Sequence, residues 1–311
     1  MKKIYVAGHN GMVGSACLKE LKKKGYDLVY KNSQDLDLRD FNSTFNFIKH
    51  EKPDAIVHAA AKVGGILAND SYPYQFLMDN MLIQNNLIKS SFELNIKKFI
   101  FLGSSCIYPK LCKQPIKEEY LLTDSLESTN QWYALAKISG VKLIEALKKQ
   151  YDLNYVALMP TNLYGPNDNF DLKTSHVFAA MIRKFHDAKV FNSKVILWGT
   201  GSPMREFLFV EDLAKAVVFS LENNLDHHLY NVGSQNDISI KNLSKMMKEI
   251  VGFDGIIDWD TSKPDGTPRK IMDSSRIFNL GWKPKISLKD GIKLTYDWFV
   301  SNQNNYKKLS F

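Results

Sequence analysis

Lys3-Ile4-Tyr5-Val6-Ala7-Gly8-His9-Asn10-Gly11-Met12-Val13-Gly14 decides the fold. The first five residues read as a short buried strand, and a helical pattern opens at Met12. Three glycines at a spacing of three join the two. Gly8 permits a tight turn, and Gly11 lets backbone N–H groups approach a pyrophosphate. Gly14 lets the helix lie close on the strand, and the helix N-terminus adds a favourable field for phosphate. The spacing is GxxGxxG, not GxGxxG. Its place inside a first βαβ unit, more than the glycines alone, carries the reading.

Outward from this turn the first half alternates in the same way. Lys3–Ala7, Asp27–Tyr30, Ala55–His58, Lys98–Leu102 and Tyr155–Leu158 read as strands. Met12–Lys24, Phe41–Glu51, Asn80–Leu94 and Tyr133–Tyr151 read as the helices between them. Strands apolar on both faces imply a parallel sheet covered by helices, joined by right-handed crossovers. The expected fold class is α/β, a doubly wound Rossmann-type sheet with its ligand site at the carboxyl ends of the strands.

After Pro160 the pattern loosens into a polar stretch, Gly165–Thr174. Helices are expected at Val177–Asp187, Glu211–Glu222, Ile240–Val251 and Leu288–Phe299, with strands near Val195–Trp198 and Leu229–Val232. The expected division is a cofactor domain over 1–165 and a smaller α/β substrate domain over 166–311. The chain is expected to return to the first domain around 205–232.

Composition narrows the class. In 311 residues, 44% hydrophobic and 24% charged usage is ordinary for a globular chain and argues against disorder. No apolar run reaches the roughly 18 residues of a membrane span, and the apolar start is too short for a secretory leader. Three cysteines without CxxC pairs, Cys17, Cys106 and Cys112, fit a reducing compartment. The expectation is a cytoplasmic protein with no membrane partner and no metal site. The net charge of +8 has no nucleic-acid module beside it, so an anionic small ligand is the better reading.

Tyr133 and Lys137 form YxxxK on one helix face. A lysine ammonium stabilises a phenolate, so the phenol can give a proton near neutral pH; reduction of a ketone needs that proton beside a hydride. Ser104 follows the fourth strand and can hydrogen-bond the same carbonyl oxygen. At the end of the second strand stand Lys31-Asn32-Ser33, with no carboxylate until Asp35. Lys31 therefore favours NADP(H), and a solvated surface lysine is the plain alternative.

These residues resemble the extended short-chain dehydrogenase/reductases. The segments Gly8–Gly14, His58–Gly65, Gly103–Lys110, Met159–Pro166, Pro203–Phe207 and Lys263–Lys270 resemble, within them, the GDP-L-fucose synthase family. The resemblance spans nearly the whole chain. It implies an NADPH-dependent 3,5-epimerase and 4-reductase acting on GDP-4-keto-6-deoxy-D-mannose, working as a homodimer through helices flanking the sheet.

By the same resemblance, Ser104, Tyr133 and Lys137 are the reductase triad, and Cys106 and His176 the epimerisation pair. Gly8, Asn10, Gly11, Met12, Val13, Gly14, Lys31, Ala60, Lys137 and Asn162 fall on the cofactor. Asn162, Lys184, Trp198, Arg205 and Lys263 fall on the nucleotide-sugar. The family often carries arginine where Asn10 stands and a basic residue where Ser33 stands, which leaves NAD(H) as an alternative cofactor. It commonly has Asn-Glu-Pro-Tyr where this chain has Asn130-Gln131-Trp132-Tyr133. Trp132 is expected beside the sugar, so a C4-reductase of a related GDP-4-keto sugar, such as a heptose, is the nearest alternative. An NADP-binding sensor without turnover is the alternative of another class.

Overall fold

The computed structural model describes residues 2–172, 174–263 and 265–303. In the first half the strands are β1 (Lys3–Ala7), β2 (Asp27–Val29), β3 (Ala55–His58), β4 (Lys98–Leu102) and β5 (Asn154–Pro160). The helices between them are α1 (Met12–Lys23), α2 (Phe41–Glu51), α3 (Ile66–Ser71), α4 (Pro73–Glu93) and α5 (Gln131–Tyr151). In the second half come β6 (Asn162–Tyr164), α6 (Val177–Val190), β7 (Val195–Trp198), β8 (Met204–Phe209) and α7 (Val210–Glu222). They are followed by β9 (Leu229–Val232), β10 (Asp237–Ser239), α8 (Ile240–Val251), β11 (Ile257–Asp260), β12 (Arg269–Lys270), α9 (Ser275–Asn279) and α10 (Leu288–Ser301).

The main sheet has six strands in the order β2-β1-β3-β4-β5-β9, and every neighbour is parallel. Alternation along each strand explains why both faces are covered. Ile4, Val6, Val57, Ile100, Leu102 and Val156 join one core, under α1 and α7. Tyr5, Ile56, Phe99, Phe101, Tyr155 and Ala157 join the other, under α4 and α5. A third core joins α6, α8 and α10 through Phe178, Phe185, Leu243, Met247 and Phe299. β7 pairs with β11, and β8 pairs with β6, β10 and β12, outside the main sheet.

Helix α4 begins at Pro73, two turns before the expected Asn80. Proline at the first helical position has no N–H to lose and a φ already suited to the helix. The short helix α3 just before it was not expected at all.

The strand order reverses between β1 and β3, which opens a crevice at their carboxyl ends. There Gly8 turns with φ +83, and a Cβ on it would meet Ala60 N at 2.5 Å. A Cβ on Gly14 would meet the Gly8 carbonyl oxygen at 2.1 Å. Backbone cannot yield as a side-chain tip can, so Gly14→Ala should lower unfolding stability by about 1–3 kcal/mol, the cost of overpacking. Chemical denaturation checks this; an unchanged midpoint would mean the helix does not bear on the turn.

Candidate active site

One cleft of about 1660 Å³ runs from the glycine turn across the carboxyl ends of the strands to β7 and β12. Every site residue read from the sequence lines it except Gly14, which packs beneath Gly8.

At one end the cradle fits a dinucleotide phosphate. The N-cap of helix α1 is Gly11, which offers no capping side chain, and the first turn holds no acidic residue. The leading N–H groups, at Met12 and Val13, are thus not claimed by a capping side chain and attract an anion. A Cβ at Gly11 would meet only the Gly8 oxygen, at 3.5 Å, so that side of the turn is roomy. Ala60 closes the floor of the crevice. Asn10 Nδ2 donates to Asn32 Oδ1 at 2.6 Å, a clasp between the turn and the end of β2, and Lys31 stands exposed beside it.

At the centre, β4 ends at Leu102 and Ser104 caps a single 3-10 turn, Ser105–Ile107. Its hydroxyl oxygen accepts the Cys106 N–H at 3.4 Å. Helix α5 carries Tyr133 and Lys137 one turn apart. Lys137 is buried, donates to the Leu102 carbonyl at 2.9 Å and lies 4.9 Å from the Phe101 ring centroid. Burial pulls its ammonium down to about 8. Burial pushes the Tyr133 phenol up, and Cys106 adds to this. In this cleft burial dominates the phenol. The Lys137 Nζ is held by a carbonyl, 5.7 Å from the tyrosine ring centroid. The phenol is a protonated donor at neutral pH.

Cys106 is buried, which raises its thiol; the Lys270 charge, the Ser104 hydroxyl and Lys137 oppose the rise. His176 is the N-cap of α6. Solvent reaches its side chain, yet the cleft walls and the Lys270 charge hold its imidazole below the ordinary value. Neutral imidazole and protonated thiol are the resting forms. Lys270 itself is held down by burial. This cation acts on both members of the pair, and the sequence reading gave it no role. Asn162 Nδ2 donates to the Glu206 carbonyl at 2.8 Å, which fixes its carboxamide at the cleft.

At the far end, Trp198 is 56% exposed. Lys184 Nζ lies 5.7 Å from its ring centroid and Lys263 Nζ 5.8 Å. Lys184 is oriented by the Ile196 carbonyl at 2.8 Å, and Arg205 by the Met204 carbonyl at 2.8 Å. An open aromatic face among cations suits a stacked base with a diphosphate. Pro264, within the Lys263–Lys270 motif, lies outside the described residues. Among the described residues, Asn130 Oδ1 and Ser175 Oγ are buried without a hydrogen-bond partner, and both residues line the cleft. A polar ligand would satisfy them.

Trp132 does not fall where the sequence reading put it. Neither Gln131 nor Trp132 lines the cleft; Gln131 donates to the Ser128 carbonyl at 3.1 Å and Trp132 is exposed. Adjacent residues on a helix point about 100° apart, so the neighbour of Tyr133 turns away from what Tyr133 faces. Among the described residues no cluster of three metal-ligating side chains occurs, and no helix is long and apolar enough to cross a membrane.

The sequence model of the NAD dependent epimerase/dehydratase family matches residues 4–233. GDP-L-fucose synthase 1 of Arabidopsis thaliana is 52% identical over 307 residues, covering 97% of this chain and 94% of that protein. The solved structure of a GDP-6-OMe-4-keto-L-xylo-heptose reductase from C. jejuni is 38% identical with TM-score 0.91, covering 97% of this chain and 98% of that one. A GDP-L-fucose synthetase from Naegleria fowleri, solved bound to NADP, is 27% identical with TM-score 0.91, covering 99% and 95%. The chain belongs to the NAD dependent epimerase/dehydratase family, in its GDP-L-fucose synthase group.

Proposed function

We propose that this chain converts GDP-4-keto-6-deoxy-D-mannose to GDP-L-fucose, inverting C3 and C5 and then reducing the C4 ketone with NADPH. The observation that carries this is the convergence of Ser104, Cys106, Tyr133, Lys137 and His176 on one cleft, with the glycine turn at one end and Trp198 at the other. The relatives that act on GDP-fucose precursors, and the related structure with NADP, point the same way. Bound NADPH supplies the hydride.

The rest is chemistry of this chain. Ser104 and Tyr133 donate to the C4 oxygen, so the ketone is polarised. Loss of the proton at C3 or C5 then gives an enolate whose charge sits on that same oxygen. Of Cys106 and His176, one takes the proton from one face and the other delivers a proton to the opposite face. The pair re-equilibrates with solvent afterwards, so solvent hydrogen enters both carbons. In the reduction, Tyr133 gives its proton to the forming alkoxide, and Lys137 offsets the charge left on the phenolate. Asn10, Gly11, Met12, Val13, Lys31, Ala60 and Asn162 hold the cofactor. Lys184, Trp198, Arg205 and Lys263 hold the nucleotide-sugar.

In this reading residues 1–165 form the cofactor domain and 166–311 the substrate domain, with a return around 205–232, in a cytoplasmic homodimer. Helices α4 and α5 pack on each other; Tyr74, Met78 and Leu82 make an exposed apolar stripe on α4, and Trp132 and Leu135 are exposed on α5. That surface suits a second copy of the chain. A C4-reductase of a related GDP-4-keto heptose is the second reading; Gln131 and Trp132 lie outside the cleft and do not carry it, and its support is the likeness to the GDP-heptose reductase structures from C. jejuni.

Incubation with GDP-4-keto-6-deoxy-D-mannose and NADPH, followed by NMR of the product, tests the reading. GDP-L-fucose is expected; a 4-hydroxy product with C3 and C5 unchanged would leave a reductase alone. Tyr133→Phe should lower kcat by about 10²–10⁴-fold, the usual worth of general acid catalysis, while NADPH still binds. The lysine gives a pH prediction. Its folded pKa is depressed to about 8, so the ammonium is present below that pH and lost above it. Hydride transfer should therefore decline as pH rises through about 8. Lys137→Arg, which stays charged, should flatten that limb. A wild-type rate that climbs through pH 8 would assign the active form to the neutral amine.

A further inference from the structure

The turn that carries Cys106 and the strand that carries Lys270 belong to distant parts of the chain, and they are linked to the sheet through Asn231 and the backbone of Ile116. Tyr108, just after the turn, is buried and donates its hydroxyl to Asn231 Oδ1 at 2.6 Å. Asn231 sits in β9 and is fully buried. Its Nδ2 donates to the Ile116 carbonyl at 2.9 Å. That same carbonyl accepts the Asp273 N–H at 2.7 Å, and Ile116 N donates to the Ile271 carbonyl at 2.8 Å. Ile271 directly follows Lys270. The Asn231 backbone N–H is in turn held by Glu118 Oε1 at 2.8 Å, and Glu118 Oε2 lies 3.5 Å from Arg276.

We infer that the Tyr108–Asn231 hydrogen bond is a positioning device, setting the Cys106 turn against the Lys270 strand, on which proton exchange at C3 and C5 depends. Two features support this over simple packing. The Asn231 carboxamide holds Tyr108 with its oxygen and Ile116 with its nitrogen, and the Ile116 backbone pairs with Ile271 and Asp273, so the register of the Cys106 turn against the Lys270 strand passes through these bonds. The Tyr108 bond is made in a dry interior, where losing the hydroxyl leaves the Asn231 oxygen unsatisfied. The benefit falls on Cys106, because Lys270 is the cation that most opposes the rise of its thiol on burial. Asn231 lies off the cleft, and Tyr108, which lines it, has its hydroxyl turned to Asn231; both are positioning residues. The inference rests on the assignment of Cys106 to proton exchange.

The test compares the full-length wild type with Tyr108→Phe and Asn231→Ala. Three quantities are read: deuterium uptake at C3 and C5 of GDP-4-keto-6-deoxy-D-mannose in D₂O without NADPH, the pH profile of Cys106 alkylation by iodoacetamide followed by peptide mass spectrometry, and NADPH affinity. A displacement of about 1 Å costs up to about 100-fold in a positioned reaction, so exchange should fall about 10- to 100-fold. The alkylation profile should move to higher pH, since the thiol loses part of its cation, and NADPH affinity should hold. Tyr108→Phe alone decides the matter should Asn231→Ala fail to fold. Unchanged exchange with an unchanged alkylation profile would overturn the inference. So would a parallel loss of NADPH affinity, which a general loss of structure would give. A wild type without exchange would remove the catalytic assignment of Cys106. The alkylation profile would still decide whether Tyr108 and Asn231 position it.

Discussion

The backbone at Gly8 passes Ala60 so closely that no side chain fits between them, and the site is laid out from that approach. A Cβ there would meet the amide nitrogen at 2.5 Å. The approach is possible because β1 and β3 are adjacent while the chain between them makes β2 on the other side. The reversal leaves an open crevice at the carboxyl ends, with the α1 N-terminus on one wall. The next strands then deliver Ser104 from β4 and Asn162 just after β5 to the same edge. Helix α5, lying across β4, brings Tyr133 and Lys137 over it.

Electrostatics divides the cleft into parts with different resting states. Burial keeps the Tyr133 phenol protonated and brings the Lys137 ammonium within reach of loss at about 8. Cys106 is pushed up and His176 down, so a proton donor and a proton acceptor coexist near neutral pH without sharing a charge. Lys270 favours both conditions at once: it eases ionisation of the thiol and disfavours protonation of the imidazole. The common element of the two proposed reactions is the C4 oxygen, carbonyl before proton loss, enolate during epimerisation and alkoxide after hydride arrives. In that proposal one pair of donors, Ser104 and Tyr133, serves all three forms.

Much of this was legible in the sequence, for definite reasons. Buried parallel strands are short apolar runs, so β1, β3 and β4 stand out with their ends correct. The glycine turn and YxxxK are local patterns whose spacing fixes geometry. What was not legible depends on contacts between distant segments. Lys270 lies 164 positions after Cys106 in a strand of two residues, too short for any periodic signal. The Leu102 carbonyl that holds the Lys137 ammonium is likewise invisible in a four-residue spacing. Two errors were avoidable. Pro73 marks the start of α4, and helical phase alone turns Trp132 away from the face of Tyr133.

The claim that one oxygen cradle serves both reactions is tested most directly by Ser104→Ala. Deuterium wash-in at C3 and C5 without NADPH, and hydride transfer in a single turnover, would be measured on the same preparation. Removing one such donor costs about 10²–10³-fold. Both rates should fall by a similar factor in that range. Loss of hydride transfer with deuterium wash-in left at the wild-type rate would contradict the shared cradle.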